Sequence, residues 1–347
     1  MDFIAHFVDT ALSSANMDAV DALRAFFLFA ACTIFTVSLP DSLRSRFIPY
    51  GARATSTAAA ESETSVSSST TKPASKSTSA SSSSSSLSSG PPVGSPVARA
   101  LDYIAALRVP HSHFTQFYVI SVLSSIFWAL QLLSHGHAFQ AIATRINPEH
   151  LQQQHVSINQ VLLAWGLMLI QGVRRLHECL SFSKPSSSKM WFVHWLAGVG
   201  FYLAVAVAVW IEGAGTVQSY NLSLDDFNLT SRFSGRTLIS LPMFIIASGL
   251  QHDCHHYLFS LEKYTLPAHP MFSYILCPHY TAECIIYLSL ALLGAPQGET
   301  FNKTLLSAVF FVAVNLGITA STTRTWYRQK FGDAAVKGKW NMIPFIF

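Results

Sequence analysis

The sequence predicts an all-α integral membrane protein of about seven transmembrane helices, with one disordered Ser-rich loop facing the cytosol. Three observations carry this expectation. Half of the 347 residues are hydrophobic and only 12% are charged, against roughly 25% in soluble domains. Apolar runs near the ~20 residues that cross a bilayer recur along the chain. Between the first two of them lies Ala52–Gly94, dominated by Ser, Thr and Ala.

The first run, Ala22–Leu39, lacks a small-residue cleavage site and reads as an anchor, not a cleaved leader. The Ser-rich stretch after it has too little apolar content to offset the entropy of ordering, so it reads as a loop. A phosphorylated regulatory loop is the functional alternative for it. Phe117–Leu133, Met190–Ile211 and Leu305–Ser321 are further clear spans. Ile158–Val173 and Thr237–Leu250 are short and extend into polar flanks. The last span lies within Met271–Ala295 and is interrupted by Cys277-Pro278-His279, a break tolerated only against protein or a water-filled cavity. The chain therefore divides into residues 1–50 (N-terminal segment and first helix), 51–98 (loop), 99–236 (helices two to four with lumenal loops) and 237–347 (C-terminal domain).

Charge sets the orientation. With the N-terminus in the lumen, seventeen Lys and Arg fall in cytosolic stretches and four (Arg145, Arg232, Arg236 and Lys303) in lumenal ones, the sense that the positive-inside rule requires. The sequons at Asn221, Asn228 and Asn302 all fall on the lumenal side and are expected to be open to glycosylation. A net charge of +4 is too small to indicate nucleic acid. Five scattered cysteines give no disulfide framework and no CxxC metal pattern.

Four polar clusters then share the cytosolic face: Val109–Tyr118, Arg174–Glu178, Gln251–His256 with its following loop, and the tail from Arg324. Such groups near membrane depth are costly and tend to be functional. Arg174, Lys184 and Lys189 read first as interfacial anchors, since basic residues flank most spans. His279 and Glu283 lie inside an apolar segment one helical turn apart and face the same way. The stretch GLQHDCHH, with His252, His255 and His256, suggests a metal. Di-iron membrane enzymes need about eight histidine ligands in three boxes, however, and this chain has a single H-x-x-H-H. His135, His137, His150 and His155 fall across the membrane from it. A di-iron hydroxylase or desaturase remains the alternative of another class, with a non-enzymatic membrane scaffold beside it; no metal ligand is assigned. Gly198-Val-Gly200 lies in an apolar span without the βαβ context of a Rossmann fingerprint.

Tyr264–Glu283, YTLPAHPMFSYILCPHYTAE, and the final WNMIPFIF resemble the C-terminal domain of the steroid 5α-reductases, a family that also holds trans-2-enoyl-CoA and polyprenol reductases. The matching positions are Tyr264, Pro267, Tyr274, His279, Glu283, Tyr327, Phe331, Lys337, Lys339 and the last five residues, and the likeness covers about 241–347. The polyprenol reductase branch fits best, on Gln251, Cys254 and His255, on Pro278-His279-Tyr280, and upstream on His113-Phe114, Phe117-Tyr118, Arg174-Arg175-Leu176 and Glu178-Cys179-Leu180. Glu262 departs from the pattern, where relatives often carry arginine.

The resemblance implies a steroid 5α-reductase-like fold and an NADPH-dependent oxidoreductase acting on a C=C bond. By it, Gln251, His255, Tyr264, Glu283, Arg175, Arg324, Tyr327, Lys337 and Lys339 contact the cofactor. The substrate is a long-chain polyprenoid lipid, reduced in its α-isoprene unit for dolichol and protein N-glycosylation. Hydride addition needs a conjugated carbonyl as sink, so polyprenal rather than polyprenol is the expected acceptor, with a donor on its oxygen. His279 is the first candidate donor, with Tyr280, Tyr118 and His113 as alternatives. Gly172 stands where steroid reductases carry a substrate-contacting tyrosine. The implied site is the endoplasmic reticulum membrane, multi-pass, with the C-terminus and active site cytosolic. A steroid or trans-2-enoyl reductase of the same family is the nearer alternative.

Overall fold

The computed structural model describes residues 2–48, 96–153, 156–182, 184, 188–221, 223 and 234–347. The Ser-rich loop, Asn228 and His155 lie outside the described residues. Seven long helices form the body: α1 (Ala19–Ser38), α2 (Phe114–Leu133), α3 (Ile158–Ser181), α4 (Phe192–Ala208), α5 (Gly235–Ser260), α6 (Pro278–Leu293) and α7 (Lys303–Phe331). Four stretches, Ala19–Ser38, His111–Leu133, Phe192–Ser219 and Lys303–Phe331, are long and apolar enough to cross a membrane. They contain α1, α2, α4 and α7. Helices α3 and α5 have the length, but their last turns are polar; α6 has only 16 residues.

The helix ends follow capping chemistry. Ser157 and Gln160 form a capping box at the start of α3, and Ser234 caps α5 through Thr237 N–H. The expected interruption of the span within Met271–Ala295 is instead its beginning. Pro278 occupies the first turn of α6, where a missing N–H costs nothing. Met271 lies in a short 3-10 turn, Pro270–Phe272, outside the helix. Met190 likewise lies outside α4, in a strand: β1 (Arg108–Pro110) pairs antiparallel with β2 (Lys189–Trp191), the one sheet among the described residues, and an isolated parallel bridge joins Ile275 to Trp340.

Packing closes the helices into a ring. Helix α5 packs on α6, α6 on α7 and α7 on α1; α2 packs between α3 and α4; α4 also touches α1 and α7, and α3 touches α5 and α6. Small residues allow the closest approaches. A Cβ at Gly198 of α4 would meet the Phe117 ring at 2.6 Å, and one at Gly172 of α3 would meet Ser121 Oγ at 2.9 Å. A tyrosine at position 172 would therefore collide with α2.

The bundle has two polar ends. At one, Asp18 caps α1 and accepts from the backbone N–H of Asp21 (2.9 Å) and Asn147 (3.0 Å), with His150 Nδ1 at 2.6 Å. Burial of Asp18 would raise its pKa, but these donors hold it below the usual carboxylate value. Nearby, buried Glu212 accepts from Thr304 N–H (2.8 Å), Thr304 Oγ1 (2.6 Å) and Arg24 (2.8 Å), placing an anion at the N-terminus of α7. This end corrects one expectation. Asn302 is 2% exposed and caps α7: its Oδ1 accepts from Leu305 N–H at 2.8 Å, while Nδ2, the atom a glycan would need, donates to Gly294 O at 3.0 Å. The sequon at Asn302 is closed, whereas Asn221 is exposed.

Candidate active site

At the opposite end, a cavity of about 170 Å³ is lined by residues from all seven long helices. Its polar wall comes from the start of α2 (Tyr118), the end of α3 (Arg175), the end of α5 (Gln251, His255) and the first turns of α6 (Tyr280, Glu283). Phe114, Phe117, Phe201, Phe311 and Ile34 supply apolar wall.

The α3–α5 contact explains why both helices run past their apolar stretches. Glu178 is 2% exposed and lies between them. It pairs with Arg174 and Arg175 of its own helix and receives His252 Nδ1 at 2.9 Å and His255 Nδ1 at 2.8 Å from α5. H-x-x-H of the GLQHDCHH stretch thus brings two imidazoles to one carboxylate. Arg175, 8% exposed, donates from Nε (3.2 Å) and Nη2 (2.9 Å) to the Tyr118 hydroxyl oxygen, and its Nη1 is 2.7 Å from His255 Nδ1. One turn deeper, Gln171 Nε2 donates to Gln251 Oε1 at 3.1 Å, and Gln251 donates in turn to Glu283; Arg174 also reaches Gln251.

The remaining expected residues divide by place. His279 and Glu283 do share a face of α6, but His279 does not line the cavity. Its ring packs on Tyr280 (centroids 4.2 Å) and His255 (5.5 Å). His113 sits in the turn before α2 beside Trp195 (6.3 Å), also outside the lining. Arg324 is committed to the C-terminal tail: Nε donates to Asn341 Oδ1 at 2.6 Å, Nη1 to Val336 O at 3.2 Å, and Nη2 to Lys339 O. That tail pairs with the segment leading into α6 through Leu276 N–H to Trp340 O (2.8 Å) and Cys277 N–H to Asn341 O (3.0 Å). Arg324 therefore supports the turn that presents His279 and Glu283. Tyr327 is buried in the tail cluster, Tyr264 is exposed under Lys330 Nζ (4.0 Å), Lys337 is exposed and Lys339 half-buried.

Two site residues escaped sequence reasoning. Glu178 was read as the end of the Arg174–Glu178 polar cluster and as part of a family pattern, with no role of its own. Asn315 of α7 lines the cavity, and its carboxamide makes no hydrogen bond among the described residues. An amide in the middle of an apolar run is a signal that could have found it.

Residues 199–347 match the family described as 3-oxo-5-alpha-steroid 4-dehydrogenase. The matched region takes in most of α4 and all of α5, α6, α7 and the tail. The chain is also similar to polyprenal reductases. It is 29% identical to that of Xenopus tropicalis over 54% of this chain and 61% of that protein. It is 33% identical to the Saccharomyces cerevisiae protein over 50% and 60%, and 27% identical to the Homo sapiens protein over 70% and 79%. The match thus spans about three fifths of the frog and yeast relatives.

Proposed function

We propose that the chain reduces the α-isoprene C=C of a polyprenal with NADPH, giving the corresponding dolichal, at the cytosolic face of the endoplasmic reticulum membrane, as a step in supplying dolichol for protein N-glycosylation. The observation that carries the reading is the polar wall of the cavity, where Tyr118 holds two Arg175 donors on its oxygen. The likeness to polyprenal reductases supports the substrate class.

The donor set fits a nicotinamide. Gln251 and Glu283 place a carboxamide beside a carboxylate in the cavity wall, the complement of a carboxamide that must both donate and accept. NADPH, when bound, supplies the hydride. The polar wall is assigned the reacting end of the cofactor, and its phosphates are assigned to the basic tail with Lys337 and Lys339. His255 and Arg175 belong to the same wall.

Hydride reaches the β-carbon only if the electron pair can move onto an oxygen, which an isolated allylic alcohol does not offer. The acceptor is therefore the enal, and the group that matters is a donor at its carbonyl oxygen as the enolate develops. With both Arg175 donors on its oxygen, the Tyr118 hydroxyl has its hydrogen to give, and Arg175 stabilises charge that accumulates there. Tyr280 is the second donor in the wall. Phe114, Phe117 and Phe201 keep water from this corner, and the isoprenoid tail stays in the bilayer. An NADPH-consumption assay with polyprenal, polyprenol and an enone steroid side by side tests the reading. Turnover of polyprenal alone is expected; turnover of the steroid in its place, or of none, sinks it.

A further inference from the structure

Glu178 does not line the cavity. Both carboxylate oxygens are nonetheless fully engaged, Oε1 by Arg174 and His252 Nδ1 (2.9 Å), and Oε2 by Arg175 and His255 Nδ1 (2.8 Å). A buried charge at this depth is costly and persists where it is paired. Two arginines, Arg174 and Arg175, face two carboxylates here, Glu178 and Glu283, so charge balance alone does not say what Glu178 does for Arg175. Geometry does. Glu178 holds Arg175 by Nη1, which leaves the opposite edge of the guanidinium, Nε and Nη2, turned onto the Tyr118 hydroxyl at 3.2 and 2.9 Å. The guanidinium carbon lies 4.8 Å from the Tyr118 ring centroid, so the arginine sits close against that ring. An arginine without this grip could turn its fork to Glu283 or into the cavity itself, and the tyrosine oxygen would lose both donors.

We propose that Glu178 is a positioning residue for the reductase reaction: it fixes the rotamer of Arg175 so that the Nε–Nη2 edge occupies the Tyr118 oxygen and the hydroxyl hydrogen is presented to the substrate carbonyl. The inference rests on the reductase reading above and adds to it a residue that never touches substrate. It also gives a reason why α3 continues for two polar turns beyond its apolar part: those turns carry the carboxylate that aims the arginine.

The test is a double-mutant cycle on purified, monodisperse protein with polyprenal and NADPH. Glu178→Gln lowers kcat by about 10–100-fold, the scale known for partners that orient metal ligands, and NADPH affinity read by nicotinamide fluorescence changes far less. In the Tyr118→Phe background the same substitution costs less than about twofold, because residues that act as one unit are non-additive. Glu178→Asp, which keeps the charge, recovers part of the loss. Where Glu178→Gln does not fold, the paired Arg174→Gln/Glu178→Gln variant, which removes one charge of each sign, takes its place in the cycle. Losses that multiply in the two backgrounds, or a fall in folded yield with unchanged turnover per folded molecule, overturn the proposal. Wild-type protein that turns over none of polyprenal, polyprenol and an enone steroid overturns the functional reading and this inference together; normal wild-type turnover with multiplying losses overturns this inference alone.

Discussion

Tyr118 and His279 separate two ways of building the same donor, and single substitutions tell them apart. Tyr118→Phe keeps the ring and its packing on Tyr202 (centroids 5.3 Å) and removes the hydroxyl. Loss of one such donor typically costs about 10²–10³ in kcat, and that loss is expected here with cofactor affinity kept. His279→Ala is expected to cost much less per folded molecule, because the imidazole lies outside the cavity lining. The reverse order of effects in purified variants would return the role to His279. Asp18, at the far end of the bundle, gives a pH prediction. Its folded pKa lies below the free value of 3.8, so its stabilisation is fully present above that value and is lost as pH falls through the lower, folded one. Asp18→Asn should therefore melt earlier than wild type near neutrality, by about 1–2 kcal/mol for charge-assisted bonds. The gap should close toward pH 3 and below. A constant gap between pH 7 and pH 3 would exclude the carboxylate charge as its source.

At the scale of elements, the α2–α4 contact is set by a missing side chain. A methyl at Gly198 would lie 2.6 Å from the Phe117 ring, whereas one at Gly249 on the outer face of α5 meets nothing within 4 Å. Gly198→Ala should lower the melting temperature by the equivalent of about 1–3 kcal/mol, as overpacking does. Gly249→Ala should leave it unchanged or raise it by up to about 1 kcal/mol, since glycine weakens helix interiors. Equal effects in a thermal melt would mean that α4 shifts freely against α2. Hydropathy made the seven long helices legible, because each buries or exposes an apolar face along most of its length. It could not place the ends of α3 and α5. Arg174, Arg175, Glu178, His252 and His255 look like flanking charges in a single run and become helix interior only when they neutralise one another across the contact. The six expected residues that do meet in the cavity, Tyr118, Arg175, Gln251, His255, Tyr280 and Glu283, were legible as polar groups on one side of the membrane and by family likeness. His113 and Arg324 were read the same way, yet they do not line the cavity, since which way a side chain turns at a helix end depends on partners that the sequence does not show.

For the whole molecule, the polar ends define an axis that experiment can orient. One end holds the cavity, the β1–β2 ribbon and the basic tail with Arg324, Arg328, Lys330, Lys337 and Lys339; the other holds Asp18, His150, Glu212, Asn221 and the start of α7. We propose that the first end faces the cytosol, the sense that the charge asymmetry requires. A tag after Phe347 should then be cleaved by protease added to intact microsomes. Glycan mapping adds a finer prediction than the sequons alone. Asn221 is exposed at the end that this orientation places in the lumen, so Asn221→Gln should remove a glycan and speed migration on a gel. Asn302 belongs to the same side, yet its Nδ2 is spent on Gly294 O inside the cap of α7. Asn302→Gln should therefore leave the glycan pattern unaltered and lower thermal stability, by about 0.5–2 kcal/mol for a lost N-cap. A mobility shift on Asn302→Gln would mean that the α7 cap forms only after the sequon has passed the glycosylation machinery. A protected C-terminal tag would invert the axis and place the cavity in the lumen, where neither the basic tail nor the sequons would be on their expected sides.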